Sequence, residues 1–428
     1  MSRHAVILAA ALTALALVSA AHAQAPERAG EPALERLTFE EAVNRAMTEN
    51  PNVGEASQAI LKAQALLDDA GSVFLPFAYG NVATTLLDEA RGFDENIVQP
   101  RTQTAFSLTV SYAVFDAVRW ARRRHAEDDV ITARAAARET RQHIAVVAAQ
   151  AFLAVIAAEQ QSAIAVRNRE TAQALEDYAR ARLEAGQGSR LNHVRAVQQR
   201  ATADSLVQIA ELAVHGAQEA LGVAVFAPGR VGASGEPYLP PAVAPKDDAW
   251  LEERPDVQRS TAELRARDRI VDDSWKSWAP TATASFSPRY VTPAGLFEPS
   301  KTWRAVLQLD IPLFDGSLGA TKAARIADRE TARLRLDGLR AEARSELRQA
   351  SEAVRRNEAI VTSTREAAQA AIDALQISEI AYREGATTNV EVVQAQQAAR
   401  NGEIGAVVAE NRLRQVRLDL LVALGQFP

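Results

Sequence analysis

The hydrophobic positions of this chain follow two periods, one of seven residues and one of two. From Ser317 to Glu384, 68 residues pass with no proline and only two glycines, and Ala, Arg, Glu and Leu dominate. Summed over such a run, intrinsic propensity favours helix. Leu347, Val354, Val361, Ala368, Leu375 and Tyr382 recur every seventh residue, with Ala350, Ala371 and Ser378 at intermediate positions. That is a coiled-coil seam whose small residues let helices approach closely. At ~1.5 Å per residue the predicted helix, 317–384, is about 100 Å long. A break at Gly385–Asn389 forms a tip, and the apolar pattern returns over 390–424. The same sentence is written earlier in the chain: a long helix over 116–185 without proline or glycine, a tip at 186–190 and a return helix over 191–221. Each unit reads as a long antiparallel helical hairpin.

Each hairpin follows a stretch of period two. In Gln103–Phe115 the residues Phe106, Leu108, Val110, Tyr112 and Val114 point one way, and Ala105, Ser107, Thr109, Ser111 and Ala113 the other. Such alternation predicts a strand with one apolar face, of the length that crosses a bilayer when tilted. In Thr302–Phe314 the apolar set is Trp303, Ala305, Leu307, Leu309, Ile311 and Leu313, opposite Arg304, Gln308 and Asp310. Weaker strands are expected at about 73–87, where Pro76 and Gly80 argue against helix, and at about 281–291. The loops Asp88–Arg101 and Pro293–Lys301 join the strands of each pair. Upstream, Thr38 and Glu41 form a capping box beside Leu37, opening a short helix that stops before Pro51, and a second helix covers Asn52–Ala70. Gly222–Asp248 holds five prolines and four glycines, and residues 223–248 read as an irregular connector.

The order short helix, strand, loop, strand, long helix, tip, return helix occurs twice, over 24–222 and 249–428. Gly186 and Gly385, Val194 and Val393, and Gln198 and Gln397 all stand 199 positions apart (385 − 186). The two halves are an internal duplication.

Composition narrows the classes. The net charge of −6 supplies no basic footprint, so nucleic acid is not an expected partner. The chain has no cysteine, which excludes disulfides, thiolate metal sites and a cysteine nucleophile. Arg3 and His4, the apolar run Ala5–Ala20 and the small-residue site Ala21-His22-Ala23 read as an export signal over 1–23. We find no other run of 18 apolar residues, so any membrane span is expected to be β. Four strands with one lipid-grade face cannot close a barrel alone, and open edges do not survive in hydrocarbon. Several copies must pool their strands. Three copies give twelve, whereas two give eight, a barrel without a lumen. The expected architecture is mixed and mainly α: a long α-helical barrel continuous with a transmembrane β-barrel assembled from three protomers of four strands each, with an internal two-fold repeat. A competing reading is a secreted trimeric coiled-coil stalk or adhesin with no lumen.

Leu37-Thr38-Phe39-Glu40-Glu41-Ala42 with Asn50-Pro51 resembles the opening signature of the TolC-like outer-membrane efflux proteins. Arg254-Pro255-Asp256-Val257 resembles the start of their second half, and Tyr382-Arg383-Glu384-Gly385 with Asn389–Gln396 their second tip. The resemblance implies an outer-membrane homotrimer in a Gram-negative bacterium, with a periplasmic α-barrel that closes at its tips. It implies a periplasmic adaptor and an inner-membrane pump as partners in efflux or type I secretion, no cofactor and no enzymatic activity. Carried over by position, Glu391 and Gln394 form the pore constriction and Tyr382 and Thr387 the latch. Gln394 stands where many members carry Asp and Thr387 where some carry Arg, so a single acidic ring is expected. The adaptor-contact surface would include Gly186, Ser189, Leu191, Val194, Gly385, Thr388, Val390 and Val393. Phe106, Leu108, Val110, Tyr112, Trp303, Leu307, Leu309 and Ile311 would face lipid. For Glu391 the alternative is a solvated helix carboxylate. For the cluster Arg119, Arg122, Arg123 and Arg124 the alternatives are a solvated helix face and contact with lipid headgroups. His125, His143, His193 and His215 lack metal-ligand spacing. Ser189, His193 and Asp204 lack the strained turn of a nucleophile, and no phosphate-binding loop is present.

Overall fold

The computed structural model describes residues 34–93, 96–240, 245 and 247–428. The expected export signal, 1–23, lies outside the described residues.

Local signals set the helix ends. Thr38 caps α1 (Phe39–Glu49) through a capping box with Glu41, whose carboxylate accepts from the Thr38 amide at 2.8 Å. Pro51 occupies the first turn of α2 (Pro51–Ser72), where its missing N–H costs nothing. The long helices α3 (Ala117–Glu184) and α6 (Gly316–Arg383) are each 68 residues, and their return helices α4 (Arg190–Ala224) and α7 (Asn389–Ala423) are each 35. Asp116 and Asp315 cap the long helices; Asp116 accepts from the amides of Val118 and Arg119, and Asp315 from that of Ser317. Gly186 and Gly385 follow the two C-caps with φ of +74° and +76°, the left-handed turn that ends a helix. Helix α5 (Pro255–Asp272) is the second-half counterpart of α2, again with proline in its first turn.

Four strands make one antiparallel sheet: β2 (Phe77–Leu86), β5 (Thr102–Asp116), β7 (Thr281–Thr292) and β8 (Lys301–Asp310), in the order β2-β5-β7-β8. Strands β5 and β8 run directly towards α3 and α6, and β2 and β7 are entered from the helical side. All the long helices therefore leave from one rim, and residues 87–93, 96–101 and 293–300 lie at the other.

Several expectations need correction. The strand expected to reach Phe314 stops at Asp310. The alternation continues to Leu313, but Pro312 has no N–H for the ladder. Ile311 thus lies beyond the sheet, as an exposed residue. The first strand starts at Phe77 rather than near 73, since Pro76 ends the approach. The loop 88–101 contains a small hairpin, β3 (Arg91–Phe93) with β4 (Asn96–Gln99). The connector 223–248 carries β6 (Val231–Ala233), which pairs in parallel with β1 (Glu35–Leu37). Helix α3 includes a window apolar enough, by length and composition, to cross a membrane, with mean hydropathy 1.5 and half of it buried within the protomer. That window is core: Ile144, Ala148, Phe152 and Val155 pack against Ala42, Ala46, Leu221 and Val231. On its other side Ala145, Ala149 and Leu153 meet Val43, Leu418 and Phe427. Full burial of each large side chain here is worth about 1.5–3 kcal/mol. The core clamps α1, α3, α4 and α7 together midway along the hairpins.

Candidate functional site

The sheet register fixes which side chains share a face. Phe106 stands opposite Val82 and Tyr290, Val110 opposite Ala78 and Phe286, and Tyr112 opposite Ala284. Ala284 in turn faces Leu307, Pro288 faces Trp303, and Ala282 faces Leu309. Residues directly opposite in a sheet point the same way. Phe106, Leu108, Val110 and Tyr112 therefore lie on one face with Trp303, Leu307 and Leu309. Among them Trp303 is 72% exposed and Leu307 74%, values that soluble proteins seldom give to large apolar side chains arranged contiguously. The opposite face carries Asn81, Gln103, Ser107, Thr109, Ser111, Ser285, Ser287, Arg289, Arg304, Gln308 and Asp310, and Thr109 and Ser287 share a hydroxyl hydrogen bond of 3.2 Å.

Aromatic side chains mark both ends of the apolar face. Phe106 and Tyr290 are 6.2 Å apart near the loop rim. Near the helical rim Phe115 and Trp120 meet edge to face at 5.1 Å, with Trp275 and Trp278 exposed close in sequence to β7. Nine residues of strand from Phe106 to Phe115 span about 30 Å along the strand, or about 20–25 Å of height at a tilt near 40°. Sequence reading missed Trp120, Trp275 and Trp278, because none falls in an alternating run. Just on the helical side, Asp273 forms an ion pair with Lys276 at 2.6 Å and lies 3.2 Å from His125. Burial pushes the Asp273 carboxyl up, but Lys276, Arg124 and His125 outweigh it and hold it below its ordinary range. Burial lowers the His125 imidazole despite Asp273. Of the arginine cluster, Arg119 pairs with Asp116 at 2.9 Å and donates to the carbonyl of Val73, and Arg123 lies 3.7 Å from Glu127. These are contacts within the fold.

At the other end of the hairpins the tips are built alike. Ser189 caps α4 by accepting from the Leu191 amide, and Thr388 caps α7 by accepting from the Glu391 amide. Glu391 returns the bond, its carboxylate accepting from the Thr388 amide at 3.5 Å. Both Glu391 and Gln394 are exposed. Tyr382 is buried against Leu175 and Val392, with Val393 partly buried beside it. Its ring meets that of Tyr178 edge to face at 5.6 Å, so the two hairpins are joined here by aromatic packing. Tyr178 escaped sequence reading because its partner lies across the duplication. Below this contact Glu176 accepts from Arg180 at 2.7 Å and from Arg200 at 2.6 Å, tying α3 to α4. Arg180 first, then Arg200, hold the Glu176 carboxyl below its ordinary range. Gln199 donates to Gln396 at 3.3 Å and bridges α4 and α7. Leu191, Val194 and Val390 are exposed at the ends of the tips, Thr387 is half-buried, and Gly186 and Gly385 make the reversals. Ser189 is occupied as a cap and Asp204 pairs with Arg200 at 2.8 Å, so neither is arranged for nucleophilic chemistry.

Residues 248–426 match the family model described as outer membrane efflux protein. The match covers the second half of the chain, 179 of its 428 residues (426 − 248 + 1). Solved structures agree in fold along nearly the whole chain. The outer membrane protein VceC of Vibrio cholerae superposes with a TM-score of 0.75 at 18% identity, over 90% of this chain and 96% of that one. The open-state MtrE outer membrane channel of Neisseria gonorrhoeae gives 0.77 at 18% identity, over 90% and 88%. CusC gives 0.80 at 15% identity, over 90% and 92%. No curated protein sequence matches. The VceC and MtrE structures are those of an outer membrane protein and an outer membrane channel. The family is one of channels rather than enzymes.

Proposed function

We propose that this chain is an outer membrane efflux protein, the passive exit duct of a tripartite efflux or type I secretion system, assembled as a homotrimer. One observation carries the reading. A four-stranded sheet has a continuous apolar face, a polar opposite face and two unpaired edge strands, β2 and β8, and it feeds directly into helices of 68 residues. In hydrocarbon both edges must be paired. The strand directions let β8 of one copy pair antiparallel with β2 of the next, and three copies close a twelve-stranded barrel with a polar lumen. The helices then continue that lumen for about 100 Å. The loops 87–101 and 293–300 face outside the cell.

Outer membrane efflux channels in general are homotrimers that work with adaptors and pumps. On this reading the exposed tip residues Leu191, Val194 and Val390 receive a periplasmic adaptor, and that contact opens the tips. The inward rings are Glu391 and Gln394, and Tyr382 and Thr387 hold the closed arrangement. A stalk or adhesin would have no use for an apolar sheet face flanked by aromatic side chains. Purified protein in planar lipid bilayers tests the reading: discrete conductance steps and a detergent-dependent trimer are expected. A detergent-free soluble species with no conductance would overturn it.

A further inference from the structure

Between the two tips of one protomer lies a cavity of about 460 Å3. Arg182 and Arg195 line it, and no carboxylate does. Arg182 is committed only lightly: it donates to the Gln187 carbonyl at 3.3 Å, and its guanidinium carbon stands 5.9 Å from the centre of the Tyr178 ring. Among the described residues Arg195 has no ion pair or hydrogen bond. Asn389 forms part of the wall, 2% exposed, and neither its Nδ2 nor its Oδ1 has a partner. A buried carboxamide left in this state is destabilising, because it has given up its water without gaining a partner. The caps Ser189 and Thr388 add the positive ends of α4 and α7 to the same wall. Leu191 and Val194 are exposed on the first tip, and Val390, at the wall, on the second.

We propose that this cavity takes an acidic side chain of a polypeptide partner, with the partner's apolar residues resting on Leu191, Val194 and Val390. The uncompensated charge selects a carboxylate, since two guanidinium groups without a counter-charge are matched by an anion. The sealed, unpaired Asn389 carboxamide favours a polypeptide over a free ion. A main-chain peptide group offers both the acceptor and the donor that it lacks, once the tips part enough to admit it. The inference rests on the reading of the tips as docking elements and adds to it the chemistry of the docked residue.

The test uses the full chain purified in detergent and saturation-transfer NMR, which reads weak binding to large receptors. The probes are a capped pentapeptide, acetyl-Ala-Leu-Asp-Leu-Ala-amide, and its Asn counterpart. The Asp peptide is expected to bind about tenfold or more tightly than the Asn peptide, the range for one charge-assisted contact. The double variant Arg182→Gln/Arg195→Gln is expected to abolish that difference while bilayer conductance stays at the parent value. The single variant Arg195→Gln, at an exposed position, is expected to weaken the Asp peptide in the same direction. Equal binding of the two peptides overturns the proposal, as does undiminished Asp-peptide binding to the double variant. Full displacement of the Asp peptide by an equal concentration of acetate overturns the polypeptide part. Conductance separates the two readings: a conducting protein that ignores the Asp peptide leaves the duct standing and removes only this site.

Discussion

Glu391 is the N3 residue of α7, where its carboxylate closes a capping box with Thr388, and on our reading it also contributes one charge to a ring about the pore axis. Glutamine at N3 can make the same reciprocal bond. Glu391→Gln therefore removes the charge and keeps the helix start. Three carboxylates around one axis raise the local cation concentration. The variant is expected to show a smaller reversal potential in a salt gradient across a planar bilayer; an unchanged value would take Glu391 out of the pore. Glycines in the tips separate in the same way. An added Cβ at Gly385 meets nothing within 4 Å, so Gly385→Ala is penalised only by its φ of +76°, about 1 kcal/mol. Gly188 is different, since its Cβ would come within 2.8 Å of the Leu183 backbone nitrogen. Gly188→Ala is expected to raise hydrogen exchange of the α3–α4 tip amides by more than Gly385→Ala raises it at the α6–α7 tip. The reverse order would mean that φ strain, and not the close approach, sets tip stability.

Helices were the elements most legible in the sequence, and the reason is local. Asp116, Gly186, Asp315 and Gly385 act on their own neighbours through caps and positive φ, so the long helices end within a residue of where the pattern stops. Strand ends depend on partners. Alternation through Leu313 could not reveal that Pro312 breaks the ladder, and Glu35–Leu37 pairs with residues near 232 that carry no strand signal of their own. The tip cavity was invisible for the same reason: Arg182, Arg195 and Asn389 converge only through folding. The ion network within the first hairpin makes a pH prediction. Glu176 titrates below the ordinary value of 4.5 because Arg180 and Arg200 favour its charged form. A lowered folded value means stability that is present in full above the unfolded value and lost as pH falls through the folded one. Glu176→Gln is thus expected to loosen the α3–α4 hairpin at neutral pH, and its difference from the parent in hydrogen exchange should shrink on acidification. A difference independent of pH would mean that packing, rather than charge, is what Glu176 contributes. Where the second hairpin is tightest, the Cβ of a substituted Gly402 would stand 3.0 Å from the Ala368 Cα. Gly402→Val must push α7 away from α6, a backbone shift of the kind that costs about 1–3 kcal/mol, and earlier thermal loss of helix by circular dichroism is the expected result.

At the scale of the whole molecule the argument turns on two edges. Strands β2 and β8 each present a row of unpaired N–H and C=O groups across ten residues, and such edges otherwise invite uncontrolled pairing. Closure by rotation satisfies them, and the number of copies sets the lumen: eight strands pack solid, whereas twelve leave a channel. The chain has no cysteine, so introduced pairs report on neighbours without interference. Asn81→Cys on β2 and Val306→Cys on β8 put one thiol on each edge, on the polar side of the sheet. Within a protomer two strands separate these positions, so at ~4.8 Å per strand spacing they lie roughly 14 Å or more apart. A short bis-maleimide added to the double variant in outer-membrane vesicles is therefore expected to join copies, and the covalent ladder should rise to three chains and stop. A ladder ending at two chains would leave eight strands and no duct. One continuing past three would describe an open array, with neither edge rule nor lumen satisfied. Single-cysteine variants should give no band beyond two, because a head-to-tail ring needs a β2 edge and a β8 edge at every junction.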